Sequence, residues 1–108
     1  MTQSPLSPIT YHVLLALADE DRHGYGILKE IEAVTAGSLT VETGTLYAAI
    51  RRLRSEGLIE AAATDPDADA RRKNYRLTTE GRTALRSETR RLTQILLAAR
   101  AKEVLRPS

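Results

Sequence analysis

Apolar residues along this chain recur mostly at helical spacing, with one short stretch of strict alternation. Ile9, Val13, Leu14 and Leu17 share one face of a first helix. Ser7 and Pro8 open it, since serine caps a helix well and proline suits the first helical position, where no N–H is needed. Leu15, Ala16 and Ala18 make this helix apolar almost all round, so cover is expected on more than one side. After the polar loop Asp19-Glu20-Asp21-Arg22, the segment His23-Gly24-Tyr25-Gly26 leads into a second helix. Its inward positions are Ile27, Leu28, Ile31 and Val34, with Lys29, Glu30 and Glu32 facing water and Gly37 at its end. Ser38 to Val41 reads as a short link containing one extended strand.

A third helix begins near Thr40 or Thr43 and stops at Gly57. Leu46, Ala49, Ile50 and Leu53 form its apolar stripe. The opposite arc holds Thr45, Ala48, Arg51, Arg52 and Ser55, flanked by Tyr47 and Arg54. That arc is small, hydroxylated and cationic, and carries no acid. Two helices with a short connection, the second with a basic outer face, form the helix-turn-helix pattern. The connection here, from about Ala36 to Glu42, is longer than the minimal turn and favours the winged variant.

Leu58 to Ala63 and Arg71 to Leu77 flank the turn-forming run Thr64 to Ala70. In the second arm Tyr75 and Leu77 alternate with Asn74 and Arg76, the period of a strand. The pair predicts a two-stranded hairpin that must lean on the helices. Thr78 or Thr79 caps a last helix running from about Glu80 to Leu105. Leu85, Leu92, Leu96 and Ala99 follow near-heptad spacing along it, with Ile95 and Leu97 widening the stripe. The rest of so small a domain cannot cover such a helix, and pairing with a second copy is the economical way to bury its far end. The fold expected is mainly α with a small β-hairpin wing: a winged helix-turn-helix domain over 1–78, then a dimerisation helix over 79–108 in the same compact unit.

At 108 residues the chain can bury one core. That core must be aliphatic, because Phe and Trp are absent and there are four tyrosines. With no cysteine, disulfides, thiolate metal sites and cysteine nucleophiles are excluded. His12 and His23 stand apart without paired carboxylates, so no metal site is expected, and His23 reads as a cap for the second helix. No nucleophile–base set or Gly-rich phosphate loop is present, so the chain reads as neither an enzyme nor a cofactor binder. No apolar run approaches a membrane span and no signal-peptide pattern opens the chain, so the expected address is the cytoplasm, with no membrane partner. A net charge of +2 says little by itself. Its distribution says more, with basic clusters at Arg51 to Arg54 and Arg71 to Lys73 that suit nucleic-acid phosphates.

Four linked motifs then stand out: His23-Gly24-Tyr25-Gly26, Gly44-Thr45-Leu46-Tyr47, Leu53-Arg54-Ser55-Glu56-Gly57-Leu58-Ile59, and Arg71-Arg72-Lys73-Asn74-Tyr75-Arg76-Leu77-Thr78-Thr79-Glu80-Gly81. In order and spacing, over roughly residues 9 to 86, they resemble the PadR-like transcriptional regulators. The resemblance implies a homodimeric bacterial transcription factor, usually a repressor of pseudo-palindromic operators, with the third helix in the major groove and the basic hairpin on flanking DNA. It also implies release of some members by a small-molecule effector bound between subunits. Leu92 stands where certain drug-binding members carry tryptophan.

The DNA-contacting candidates are Thr43, Gly44, Thr45, Tyr47, Arg51, Arg52, Arg71, Arg72 and Lys73. Arginine can grip guanine or phosphate with two parallel hydrogen bonds, whereas Tyr47 serves equally as half-buried packing. Dimer-interface candidates are Leu85, Leu92, Ile95, Leu96 and Ala99. Tyr11, Leu92 and Ile95 are the candidate lining of an effector pocket, with plain interface packing as the simpler role. The competing function is a winged-helix adaptor that binds protein and has no operator of its own.

Overall fold

The computed structural model describes residues 6–62 and 73–107. The elements run α1 (Pro8–Ala16), β1 (Arg22–His23), α2 (Gly24–Val34), α3 (Thr43–Ser55), β2 (Ile59–Ala61), β3 (Asn74–Leu77) and α4 (Thr79–Ala101). Helix starts follow the capping residues. The Ser7 hydroxyl accepts from the Thr10 N–H, His23 Nδ1 from the Gly26 N–H at 3.0 Å, and the Thr78 hydroxyl from the Gly81 N–H at 3.0 Å.

One core joins every helix. Val13 and Leu14 of α1, Ile27 and Ile31 of α2, Leu46, Ile50 and Leu53 of α3, and Ile59 of β2 are its fully buried large side chains. Ala84 and Leu85 bring in the first half of α4. The predicted stripe of α3 is therefore its buried face, as 3.6-residue periodicity requires.

The sheet has three antiparallel strands in the order β1-β3-β2, where a two-stranded hairpin was expected. Arg22 pairs with Tyr75 and His23 with Asn74; on the other side Ile59 pairs with Leu77 and Ala61 with Tyr75. Two residues are too short for a period-two signal. Arg22 holds them in place: its Nε donates to the Ala16 carbonyl at 2.8 Å, and its guanidinium meets Asp19 at 3.3 Å, Glu20 at 3.0 Å and Glu30 at 3.4 Å. Much of the acidic loop thus serves as counter-charge for one half-buried arginine.

Three further expectations are corrected. Ser38 to Val41 is not a strand. The chain turns through Ala36 and Gly37 at positive φ, and the Thr35 hydroxyl accepts from the Leu39 N–H, which replaces a ladder with a local turn. Val34 is 51% exposed, because it continues the stripe of α2 past the edge of the core. α4 ends at Ala101 rather than Leu105, and Glu103 just beyond it takes φ of 60°.

The join between α3 and α4 is tight. Gly57, at φ of 75°, donates to the Arg54 carbonyl, and Leu58 N–H reaches back to Leu53, the paired bonds of a Schellman stop. The Leu58 carbonyl in turn accepts from Thr78 N–H at 3.1 Å, and the Thr78 hydroxyl donates to the Gly57 carbonyl at 2.6 Å. A Cβ on Gly81 would sit 1.8 Å from the Leu58 oxygen, so only glycine lets α4 pass there.

α4 is also tied to the start of the chain. Glu88, 6% exposed, accepts from the Leu6 N–H at 2.8 Å and from Arg91 Nε. The Arg91 hydrogen bond, helped by the Leu6 N–H and the Arg91 charge, outweighs burial and holds the Glu88 carboxyl below the ordinary carboxylate value. A depressed folded-state value means stability that is present at neutral pH and lost as pH falls through that value. Glu88→Leu should therefore be less stable than the wild-type chain at neutral pH by about 1 kcal/mol or more, since it strands the Leu6 donor. In urea titrations the gap should narrow on acidification below the ordinary carboxylate range; a gap independent of pH would contradict the ionised tie.

Candidate nucleic-acid interface

α3 presents three arcs. At about 100° per residue, Gly44, Ala48, Arg51 and Ser55 lie farthest from the buried stripe. Thr45 and Arg52 flank one side, and a small hollow joins them to Ser7, Ile9 and Thr10 at the start of α1. Tyr47 and Arg54 flank the other, towards α2 and the sheet. Thr43, Gly44, Thr45, Arg51 and Arg52 are all exposed. No side chain caps α3: Glu42 occupies the N-cap without a hydrogen bond from its carboxylate, so the first-turn N–H groups stay open.

The arginines on this helix are not equivalent. Arg52 is paired with Glu56 at 3.0 Å across one helical turn. Arg54 lies over the Tyr75 ring, 5.9 Å from its centroid. Among the described residues Arg51 has no carboxylate partner, and it stands in the middle of the outward arc with its charge available.

Tyr47 is half-buried, and its ring covers Gly24, where a Cβ would come within 2.4 Å of the tyrosine oxygen. Its first role is to lock α2 against α3. Lys73 is half-buried at the entry to β3. Arg71 and Arg72 lie outside the described residues. Arg76, which follows on β3, is held by Glu60 at 2.9 Å across the strand pair.

Along α4 the other candidates separate. Leu85 is 7% exposed and belongs to the chain's own core, because it faces α1 on the covered half of the helix. Past Glu88 the same stripe is uncovered: Leu92, Ile95 and Leu96 are 38%, 51% and 49% exposed, and Ala99 is half-buried. The Tyr11 hydroxyl and Thr89 Oγ1 share a hydrogen bond of 2.8 Å. Tyr11 is half-buried, whereas Leu92 and Ile95 lie on the open stripe. The groove on α4 is lined instead by its arginine face, starting with Arg82, Arg86 and Arg90, about a quarter-turn or more round the helix.

Tyr25 has no place in the sequence reading beyond its motif. It is 60% exposed at the start of α2, with the His23 ring stacked 6.4 Å away and Lys29 Nζ 5.2 Å from its centroid. An aromatic held between two glycines, off the apolar stripe, was the available signal. Among the described residues no cluster of metal-ligating side chains occurs, and no helix is long and apolar enough to cross a membrane.

Three helices, a basic-faced third helix, a small antiparallel sheet and a long closing helix define a winged helix-turn-helix protein. The chain belongs to the transcriptional regulator PadR-like family, whose model matches residues 13–87. These are regulators of transcription, not enzymes. The chain is 32% identical over 105 residues to transcriptional regulator Rv3488 of Mycobacterium tuberculosis, covering 97% of this chain and 90% of that one. It superposes with a TM-score of 0.73 on a PadR family transcription regulator from hypervirulent Clostridium difficile R20291, at 26% identity, with 88% of this chain and 97% of that chain covered. It shares the fold of Bacillus subtilis PadR, solved in complex with operator DNA, with a TM-score of 0.66 at 22% identity over 79% of this chain and 48% of that chain.

Two glycines separate packing from surface. Gly24→Ala must displace the Tyr47 ring and should destabilise the fold by about 1–3 kcal/mol. Gly44 has open space around its Cβ direction, so Gly44→Ala should be neutral or stabilising by up to about 1 kcal/mol. Thermal melts of the two variants decide this, and a Gly24→Ala melt matching wild type would sink the Tyr47 packing role.

Proposed function

We propose that this PadR-family regulator acts as a homodimer that binds a pseudo-palindromic operator, as a repressor, by laying α3 of each subunit in the major groove. The observation that carries this is the outward arc of α3, where an unpaired Arg51 stands among small exposed residues on a rigid helix. Gly44, Ala48 and Ser55 along the same arc let the helix approach base edges closely, and Arg51 offers guanine or phosphate two parallel donors. Thr43, Gly44 and Thr45, with open N–H groups, suit a backbone phosphate at the groove wall. Lys73, with Arg71 and Arg72 in the same basic run, supplies salt-dependent grip from the wing, and exposed Tyr25 with Lys29 extends the surface along α2. Glu42, at the start of α3, weakly opposes phosphate.

The dimer follows from α4. Its apolar stripe is continuous, but the subunit's own core covers only the first half. Leu92, Ile95, Leu96 and Ala99 present i, i+3, i+4 and i+7 positions for a second copy, spacing two recognition helices about one DNA turn apart.

A gel shift against the gene's own upstream DNA over a salt series tests the first part. Arg51→Ala should cost roughly 1–3 kcal/mol and relax base preference, Arg52→Ala should cost less because Glu56 already engages it, and Lys73→Ala should lower the salt slope by about one. Wild-type affinity in Arg51→Ala would remove the arc from the contact surface. No shift even at low salt, with a protein partner co-purifying, would favour the adaptor role.

Sedimentation tests the second part. The double variant Leu92→Glu, Leu96→Glu should keep its helical circular dichroism, sediment as a monomer and lose operator affinity at least about tenfold, since each half-site alone binds weakly. A variant that still sediments like wild type would show that this stripe is not the interface.

A further inference from the structure

The start of α2 is closed by a side chain that can change its charge. Ser7 caps α1 and Thr78 caps α4 through hydroxyl oxygens, which do not titrate at ordinary pH. His23 caps α2 through a ring nitrogen. Its Nδ1 accepts the Gly26 N–H at 3.0 Å, so in this arrangement that nitrogen carries no hydrogen and the ring is neutral. A second proton on the ring goes to Nδ1 and turns the acceptor into a donor that faces another donor. It also places a positive charge at a helix N-terminus, the end that disfavours cations.

The surroundings give that charge no partner. Arg22 is the neighbour on β1, and Asp19, Glu20 and Glu30 are turned to its guanidinium. On α2 the Tyr25 ring is stacked on the histidine at 6.4 Å, and Lys29 Nζ lies 5.2 Å from the Tyr25 centroid. β3 brings the uncharged Asn74, preceded by Lys73. α3 brings the Tyr47 ring over Gly24. Among the described residues no carboxylate pairs with the His23 ring.

The same residue joins three elements. Its backbone is half of the two-residue strand β1 and pairs with Asn74 of β3. Its ring closes α2. The next residue, Gly24, lies under Tyr47 of α3, so close that a Cβ would come within 2.4 Å of the tyrosine oxygen. Loss of the cap therefore loosens the first turn of α2 where the sheet edge and α3 both rest on it.

We propose that His23 is an acid-operated joint: a proton on its ring opens the first turn of α2, frees β1 and Tyr47, and weakens the grip on the operator. The last step rests on the regulator reading above; the joint does not.

The test uses the full chain between about pH 8 and about pH 5.5, a span in which histidine gains its proton while Glu88, held below the ordinary carboxylate value, stays ionised. Stability from the cap is present where the ring is neutral and is lost as pH falls through this span. His23→Asn supplies a cap that does not titrate. In urea titrations the folding constant of the wild-type chain should fall about threefold or more relative to that variant. His12→Gln should follow the wild type. In the wild-type chain itself, amide exchange at Gly26, corrected for its intrinsic pH dependence, should lose protection on acidification. Equal pH dependence in wild type and His23→Asn, a dependence that vanishes in His12→Gln, or unchanged Gly26 protection would overturn the joint.

In gel shifts against the gene's own upstream DNA, wild-type affinity should also drop about threefold or more across the span relative to His23→Asn. An acid-labile cap with affinity unchanged would overturn the link to DNA. Tighter binding at low pH in the wild type alone would overturn it too, and would show the charged ring meeting phosphate. If the wild-type chain shifts no DNA at either pH, the regulator reading fails, and the urea and exchange measurements still decide the joint.

Discussion

The passage of α4 over the Leu58 carbonyl is the contact on which the arrangement depends. α3 must end sharply, and Gly57 in the left-handed region ends it while Leu58 turns back to bond Leu53. That same residue starts the path into β2, and its carbonyl accepts the N–H of Thr78, the cap of α4. At Gly81 the helix backbone then lies where any Cβ would overlap the Leu58 oxygen. Three elements are fixed by one peptide group: the stop of α3, the sheet edge and the first turn of α4. Interiors are close-packed and transmit displacement, so the angle of α4 and the pose of α3 are set together.

From that corner the chemistry of α3 follows. Its stripe is consumed by the core, and its two flanks are consumed by neighbours. Tyr47 packs over Gly24 and Arg54 over Tyr75 on one side, while Arg52 turns to Glu56 on the other. What remains free is a narrow ridge of small residues around Arg51. A helix with charges all round would bind polyanions indiscriminately. Among the described residues of α3 the charge without a partner is thus held at one position, Arg51, on a rigid ridge.

Much of this was legible in the residues, and the misses have physical causes. The stripe Leu46, Ala49, Ile50 and Leu53 emerged from period alone, because helical periodicity is strong over a helix this long. The caps Ser7, His23 and Thr78 were legible because a side-chain acceptor three residues before an N–H is a local arrangement. β1 was not, because two residues carry no period and their pairing with β3 spans half the chain. Leu85 joined Leu92 and Leu96 in one heptad stripe, and sequence cannot say where along a stripe the subunit's own core gives out. Tyr47 sits on the polar half of its helix by angle, and only the absent Cβ of Gly24, in the preceding helix, reveals that its ring is packed. The likeness to PadR-like regulators supplied what local physics could not, the meaning of four motifs read together.

The division of α4 at Glu88 gives the stripe two duties. On the near side Gly81, Ala84 and Leu85 bind the helix to its own head; on the far side Leu92, Ile95 and Leu96 are left open. An apolar residue at the boundary would merge the halves into one slippery seam, since apolar contact is undirected. A buried carboxylate is directional. It takes the Leu6 N–H with one oxygen and Arg91 with the other, and so fixes where α1 begins relative to α4. Tyr11 adds a second tie one turn along α1, through Thr89. α1 also packs on α3. Any displacement of the open half of α4 thus meets a hydrogen-bonded joint whose next neighbour is α3. Polar ties that cost desolvation are a poor way to add stability and a good way to fix register.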